Sequence, residues 1–395
     1  MPSCHFLHLI LLSSGPKVPK SGPFENEGIH EGGETFSIGA GLAIMTGKRE
    51  MIDVSASGDE SCPKRDLPPW TVDPALIKSD PELHHYTTRS GLQGIWETNS
   101  LWATHFSNLS DSSEIVLLKK PLEAALTTLF KRPIIENQRK SLKVRRHIEK
   151  EGGLEAVARG LAQKFVEAHF VLAITGGKVS PLAEPFICSL CSHANDHPYE
   201  QENGLLSQWR GYGGKGHYAI VFDTRQLDLL LAREWQAHFW ARLSIERVVY
   251  FDGPEILEKE FPDILTASTA FMAKELNGES GSNIELFGPF SKAATLMKHR
   301  GFREEREVRI VAMPQSERAL ADRGRECELL GRPPIKDVHG NSKKYVALFE
   351  SLNATLPIKR IIVGPGANQK EDYEFARALV ANRVPIVISE TPFIG

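Results

Sequence analysis

The sequence predicts an α+β protein in which short strands and amphipathic helices follow one another at irregular intervals. The composition is that of an ordinary globular protein, with 41% hydrophobic, 25% charged and 8% aromatic residues in a chain of 395. Several short segments alternate apolar and polar residues with the period of two that is typical of β-strands. Their spacing is too irregular for the strand–helix repeats of a doubly wound parallel sheet.

Charge and hydropathy limit the classes of function. The formal net charge is −3, from 47 basic and 50 acidic residues, so the whole molecule has no electrostatic bias towards nucleic acid or an acidic membrane. No apolar run approaches the roughly 18 residues of a membrane span. The 5 cysteines have irregular spacing, which indicates a reducing compartment rather than a disulfide scaffold. We therefore expect a soluble, cytoplasmic protein with no membrane partner.

The N-terminal segment differs from the rest of the chain. Residues 1–78 mix Gly, Ser, Pro and charged residues with little sustained periodicity, a composition typical of disorder. The Pro-rich stretch LPPWTVDP marks the end of this segment. We predict a disordered extension over residues 1–78 and a single α+β domain over residues 79–395.

The predicted domain opens with a strand, a helix and a second strand. LHHYTT is short, apolar and aromatic, and strand alternation places His85 and Thr87 on one face and His84 and Tyr86 on the other. The segment SGLQGIWET predicts a helix and LWATHF a strand. Pro121 lies in the helical pattern that follows, where it is expected to bend or divide the helix.

A basic run lies within this helical region. Residues 131–150 contain eight Lys and Arg residues, against only Glu136 and Glu149. A run of this kind is most often a solvated helix face, and a nucleic acid or an acidic partner is the alternative. No aromatic residue interleaves the run after Phe130, which argues against binding of a single-stranded nucleic acid.

The remainder of the chain alternates helices and strands. GLEAVARGLAQKFVEAHFVLA predicts a helix, and PFICSLCS, GHYAIVFD and ERVVYF (246–251) predict strands. Helices are predicted over 254–276 and 286–299, and EREVRIVAMP (305–314) has the alternation of a strand. The chain closes with a strand, a Gly-Pro-Gly turn, a helix and a strand.

The segment FREEREVRIV carries a candidate catalytic group. A period of two places Glu305, Glu307 and Arg309 on one side of a strand. Two carboxylates about 7 Å apart beside a guanidinium can perform acid–base or electrostatic work. The alternative is a solvent-facing strand of paired charges, which the neighbouring Arg303 and Glu304 favour.

A second candidate is the aromatic stretch that precedes GYGGKG. Trp209 and Tyr212 offer rings that could stack on a planar group, and the glycines would let the backbone approach a ligand. The stretch lacks the spacing of a phosphate-binding loop. A flexible lead-in to the following strand is the alternative.

Two further patterns are weaker. One contains the residue types that bind zinc, at Cys188, Cys191, His193 and His197. The two cysteines are separated by an odd number of positions, so a continuous strand would point them to opposite faces, and we predict no metal site. The GPG turn near the C-terminus has Gln369 where a dinucleotide-binding turn has its third glycine.

Seven blocks, read in order, resemble the domain of unknown function 2971 family, which is uncharacterised and mostly bacterial. The blocks are LHHYTT, LWATHFSNLSDSSE, FICSLCS, SQWRGYGGKGHYAIVFD, HRGFREEREVRI, IKRIIVGPG and ISETPF. The residues that match the family's motifs are His85 and Tyr86, Asp111 and Glu114, Trp209 and Tyr212, Glu305, Glu307 and Arg309, and Ser389 and Pro392. FICSLCS departs from the family, which more often has a Ser-Phe-Ser type of strand there.

The order of these residues is similar to that of ADP-ribosyltransferases. The resemblance implies an ADP-ribosyltransferase-like split β-sheet core with flanking helices, and NAD as co-substrate without a metal. The implied catalytic residues are Glu307 as catalytic carboxylate, Glu305 as its helper, and His85, which binds the ribose and nicotinamide. Either Tyr212 or Trp209 is the implied stacking residue, Arg309 is a phosphate or carboxylate partner, and Tyr86 and Thr87 are further NAD contacts.

The implied activity is transfer of ADP-ribose from NAD to an unknown acceptor, either a protein or a nucleic acid. The alternative from a different class is a non-enzymatic sensing or defence module that binds a nucleotide or a protein. A metal-free nuclease or hydrolase is a third possibility.

Overall fold

The computed structural model describes residues 74–108, 117–174, 184–193, 197–211, 217–279, 281, 283–317, 320, 331–338 and 343–392. The helices are α1 Pro74–Ser79, α2 Arg89–Thr98, α3 Lys119–Lys140, α4 Leu142–Lys150, α5 Leu154–Ile174, α6 Pro198–Asn203, α7 Leu206–Gly211, α8 Thr224–Ala237, α9 Ile256–Glu260, α10 Pro262–Leu276, α11 Asn283–Leu296 and α12 Gln369–Val380. The strands are β1 Glu82–Thr88, β2 Leu101–His105, β3 Phe186–Ser192, β4 His217–Asp223, β5 Trp240–Arg247, β6 Val249–Phe251, β7 Met297–His299, β8 Glu307–Pro314, β9 Ile335–Asp337, β10 Lys344–Leu348, β11 Ile358–Val363 and β12 Ile386–Ile388. The predicted α+β class is confirmed.

The centre of the fold is a mixed ten-stranded sheet. Its main path runs β12-β11-β4-β1-β3-β2-β10-β9, and β8 and β5 extend from β3 as a branch. All of its pairings are antiparallel except that of β11 with β12. Strands β6 and β7 form a separate parallel pair. β3 therefore has β8 along one edge and two different strands, β1 and β2, along the other.

Helices cover both faces of this sheet and create two large cores. On one face, α2, α8 and α12 pack against alternate residues of β1, β3, β4 and β8. On the other face, α3, α5, α10 and α11 form a helical layer that reaches the sheet at Val311 and Met313. Both layers follow from the near-continuous apolar runs of β3, β4 and β8, because successive residues of a strand point to opposite faces and such a run gives each strand two apolar faces to bury. Within the described ranges, no helix is both long and apolar enough to cross a membrane.

The described fold begins inside the predicted N-terminal extension. Helix α1 places Leu76 in the core with 2% of its surface exposed. Asp80, which follows α1, accepts hydrogen bonds from Ser192 and Arg247, and its carbonyl accepts from Thr224 at 2.5 Å. These contacts tie residues 74–80 to the sheet, so the boundary predicted after residue 78 comes too late. Residues 1–73 lie outside the described part of the chain.

Two truncations test where the folded unit begins. A chain that starts at residue 71 is expected to melt within about 2 °C of the full-length protein, because residues 1–70 carry no core pattern. A chain that starts at residue 82 loses the burial of Leu76, about 1.5–3 kcal/mol, and the contacts of Asp80. Thermal melts of the three proteins measure the difference. A large loss in the first truncation would show that residues 1–70 pack on the domain.

Other element boundaries differ from the sequence prediction for local reasons. The predicted strand over 305–314 begins only at Glu307, because a 3-10 helix, Arg300–Glu305, precedes it. The predicted helix over 286–299 ends at Leu296, and residues 297–299 form β7. The predicted strand over 246–251 is divided between β5 and β6. Pro121 causes no division, because it lies in the first turn of α3, where its missing N–H has no helical partner to lose.

Candidate functional site

The edge of β3 that faces β1 and β2 contains an opening. Ser192 and Cys191 pair with β1, whereas Ile187 and Phe186 pair with β2. Neither pairing includes residues 188–190, which lie between these two ends. The opening arises because β1 and β2 diverge from each other along β3.

Pairing across the strands decides which candidate side chains share a face of the sheet. Val221, His84, Cys191 and Glu307 lie opposite one another in a row across β4, β1, β3 and β8. They therefore project to one face, and His85, the next residue along β1, projects to the other. The predicted separation of His84 from His85 is confirmed. The same register puts His85 and Glu307 on opposite faces of the sheet, which argues against the joint NAD-binding role that the resemblance implies for these two residues.

The ring of His85 nevertheless lies at the opening. Its Nδ1 is 2.9 Å from the carbonyl oxygen of Ser189, and the Oγ of Ser189 donates to Oε1 of Glu307 at 2.6 Å. His85 is thus linked to Glu307 through one intervening residue, at a separation on the order of 10 Å. Burial lowers the pKa of His85, which favours its neutral ring at pH 7.

Glu307 is the centre of a buried ion-pair cluster. Arg309 donates to its two oxygens at 2.9 and 3.0 Å, and Nζ of Lys298 donates at 2.7 Å. The Glu307 side chain is 4% exposed. Burial alone would raise the pKa of this carboxyl, but the charges and hydrogen bonds of Arg309 and Lys298 outweigh burial and lower it to about 2. The carboxylate is therefore anionic at neutral pH.

Glu305 belongs to the same cluster, but the backbone conformation that places it there differs from the predicted strand. It ends the 3-10 helix, and Arg306 has a left-handed backbone with φ 44°, so the strand alternation predicted for Glu305 and Glu307 is wrong. Glu305 still accepts a hydrogen bond from Nζ of Lys298 at 2.6 Å. One ammonium group thus bridges both carboxylates, which are neighbours as expected.

Four residues around Glu307 were missed by the sequence reasoning. Phe302 is 37% exposed, and the Nζ of Lys298 lies 4.8 Å from its ring centroid. The hydroxyl of Tyr250 accepts the backbone N–H of Glu307 at 2.9 Å. Phe302 and Lys298 could have been found from their nearness to Glu307 in sequence, whereas Ser189 and Tyr250 come together with it only in the folded chain.

A second polar cluster lies on the same face as Glu307. The hydroxyl of Tyr86 accepts from the backbone N–H of Leu205 at 2.6 Å and lies 3.1 Å from Nε2 of His193. The rings of His193 and His84 pack edge to face with centroids 4.0 Å apart. Burial, aided by nearby positive charges, lowers the pKa of His84 to about 3 and that of His193 to about 2. Both rings are neutral, and the hydroxyl of Tyr86 is already used within the protein.

Trp209 is a core residue and not an exposed stacking platform, which corrects the sequence prediction. It is 1% exposed, and its Nε1 donates to the carbonyl of Asn203 at 3.0 Å. Its ring packs edge to face with Tyr86 at 4.7 Å and lies so close to Gly204 and Gly364 that a Cβ at either position would overlap it. The indole therefore joins α7 to β1 and β11 instead of contacting a ligand.

The remaining predicted NAD contacts are buried or lie outside the described residues. Thr87 is 8% exposed. Arg309 is 2% exposed, and besides Glu307 it donates to the carbonyl of Thr295 at 2.7 Å. Its guanidinium is therefore committed to protein groups. Tyr212, like Asp111 and Glu114, falls outside the described part of the chain.

The two cysteines of β3 point to opposite faces, as the spacing predicts. Cys188 belongs to the core beneath α2 and α8, and Cys191 lies with Tyr86 and Trp209. Burial raises the pKa of the Cys188 thiol to about 12, so the group is a protonated core residue. Among the described residues, no group of three or more His, Cys, Asp and Glu side chains could hold a metal ion.

The comparison with known families bears directly on this part of the chain. Residues 208–310 match the model of a family described as "Protein of unknown function (DUF2971)". Over this segment the chain is similar to the DUF2971 family. The DUF2971 match contains Lys298, Phe302, Glu305, Glu307 and Arg309, and Ser189 lies before it. No curated protein and no solved structure matches the chain.

Proposed function

We propose that this protein transfers ADP-ribose from NAD to an acceptor, with Glu307 as the catalytic carboxylate. The observation that carries the proposal is a buried, anionic carboxylate oriented by Ser189 and Arg309 beside the opening in the edge of β3. A fixed negative charge of this kind stabilises the positive charge that develops on a ribose as its leaving group departs. The opening itself supports the split sheet that the resemblance to ADP-ribosyltransferases implies.

The proposed reaction breaks one bond and forms another at the same carbon. The bond between ribose C1′ and the nicotinamide nitrogen breaks, and its electron pair goes to that nitrogen. The nucleophilic atom of the acceptor forms a bond to C1′ and releases its proton. Glu305, whose side chain is 29% exposed, is the group we assign to receive that proton. The products are the modified acceptor, nicotinamide and a proton.

Lys298 is the residue that we expect the substrate to displace. Ser189 and Arg309 reach Glu307 from strands β3 and β8 of the central sheet. Lys298 reaches Glu307 from β7, outside that sheet, with a long side chain whose Nζ lies 4.8 Å from the ring centroid of Phe302. The positively charged nicotinamide ring of NAD would take the place of the Lys298 ammonium group between the two carboxylates. Phe302 would then offer its ring face to that cation.

A module that binds a nucleotide or a protein without turnover is the second candidate function. The observation that favours it is that Arg309, Lys298 and Ser189 together already satisfy both oxygens of Glu307. A carboxylate whose charge is compensated in this way is also typical of a buried ion-pair cluster with a purely structural role. In that case the exposed surface around Phe302 would bind its ligand without any bond being broken.

Incubation with NAD separates the two functions. We expect saturable NAD binding by calorimetry and release of nicotinamide, measured by chromatography. We expect Lys298→Met to lower the KM for NAD several-fold, because it removes the cation that competes for Glu307, whereas the exposed control Lys292→Met leaves KM unchanged. Binding without release would support the module, and no binding at millimolar NAD would contradict both the transferase and a module that binds NAD.

A further inference from the structure

A cluster of exposed cations lies at the end of α3 and along α4. We call it the basic ridge; its members are Arg139, Lys140, Lys143, Arg145, Arg146 and Lys150. All six are exposed, and none has an ion pair or a side-chain hydrogen bond to another residue within the part of the chain that the structure describes. The ridge is therefore a surface whose charge is directed to solvent.

The acidic residues near the ridge do not neutralise it. Glu136 pairs with Arg132 at 3.2 Å, and Glu151 lies 4.0 Å from His147. Only Glu149 lies among the ridge residues without a partner of its own in the described part of the chain. The whole protein has a formal net charge of −3, so this local excess of positive charge stands out against an otherwise acidic molecule.

The apolar side of α4 is already occupied by the protein. Ile148 is 5% exposed within the helical core, and Val144 packs against the same core. Ser141 caps the helix by accepting the N–H of Val144, which fixes its direction. A helix that inserts into a membrane surface needs a free apolar face, and α4 retains only Leu142 in exposed apolar form. The ridge is thus an almost purely electrostatic surface.

From these observations we infer that the basic ridge binds the phosphate backbone of double-stranded nucleic acid. Lys143 and Lys150 lie about 10 Å apart along α4, a length over which one strand of a duplex presents about three phosphates. The arginines offer planar donors suited to phosphate oxygens. The stretch carries no aromatic side chain for base stacking, which favours a duplex over a single strand. This inference does not depend on the proposed activity towards NAD.

Binding to labelled duplexes tests the inference directly. Fluorescence anisotropy with DNA and RNA duplexes of about two helical turns is expected to show binding without sequence preference, with a slope of log K against log salt of roughly −3 to −5. The triple variant Lys143→Glu, Arg145→Glu, Arg146→Glu should weaken binding at least about 30-fold and reduce that slope by roughly three.

A matched variant controls for net charge. Lys78, Arg225 and Lys370 are exposed and lie outside the ridge, and their triple replacement by Glu changes the net charge by the same amount. We expect that variant to bind within about threefold of wild type. Thermal melts check that both triple variants are folded. The inference would be overturned if both triple variants lost affinity for the duplex equally, or if the protein did not bind the duplex at low salt. It would also be overturned if the protein bound poly-glutamate or phosphatidylserine vesicles as tightly as the duplex.

Discussion

Replacing Glu307 by glutamine is expected to slow the release of nicotinamide from NAD by roughly 30- to 1000-fold, which corresponds to about 2–4 kcal/mol of barrier. The amide keeps the shape of the side chain but removes the negative charge that opposes the developing ribosyl cation. NAD affinity should change far less, because the ribose carries little of that charge in the ground state. Steady-state kinetics and calorimetry on the same preparation separate the two effects.

Two further variants make this result specific to the site. Glu304→Gln makes the same chemical change at an exposed neighbour and should leave the rate unchanged. Ser189→Ala leaves Arg309 and Lys298 on Glu307 but removes the hydroxyl that donates at 2.6 Å, and should slow release by roughly 5- to 30-fold. An effect of Glu307→Gln on affinity alone would assign the carboxylate to binding and not to catalysis.

Replacing Arg309 by methionine is expected to lower the free energy of unfolding by about 3–5 kcal/mol. The substitution removes the two hydrogen bonds to Glu307 and the one to the carbonyl of Thr295. It leaves a buried carboxylate with Lys298 as its remaining cation, and an undercompensated buried charge is costly. Unfolding in urea, followed by circular dichroism, measures the change.

A double variant distinguishes the loss of an ion pair from the loss of packing. If the cost arises from the stranded charge, Glu307→Gln combined with Arg309→Met should be more stable than Arg309→Met alone. Arg306→Met is the matched control, because Arg306 pairs with Glu200 at 2.6 Å but is 30% exposed, and we expect it to cost at most about 1 kcal/mol. If Arg306→Met and Arg309→Met lowered the free energy of unfolding equally, burial would not be the reason for the large cost expected at Arg309.

Much of the local structure could be predicted from sequence because it depends on neighbouring residues. The alternation in LHHYTT and FICSLCS decides which side chains share a face of β1 and of β3, and the observed register agrees with both predictions. Long amphipathic patterns such as the one that forms α5 are equally local. Boundaries were less accurate, since the 3-10 helix before β8 has no signature in the alternation of EREVRIVAMP.

The candidate site shows where sequence reasoning ends. Glu305 and Glu307 were found from their spacing, but the groups that set their chemistry come from other elements. Ser189 lies on β3 and Tyr250 on β6, and only the antiparallel pairing of β3 with β8 brings Ser189 to Glu307. Burial also reversed one assignment, since Trp209 packs against Tyr86 and the backbone of Gly364, both of which are distant from it in sequence.

The sequence by itself determined the α+β class, the strand faces of β1 and β3, the resemblance to the DUF2971 family, the pair of neighbouring carboxylates and the run of basic residues. The tertiary structure alone decided that His85 and Glu307 lie on opposite faces and that Lys298 bridges the carboxylates. It also decided that the six residues of the basic ridge have no ion pair within the part of the chain that the structure describes. The reason is physical. Alternation and composition depend on residues a few positions apart, whereas the charge state of a buried group depends on which distant strands and helices pack around it.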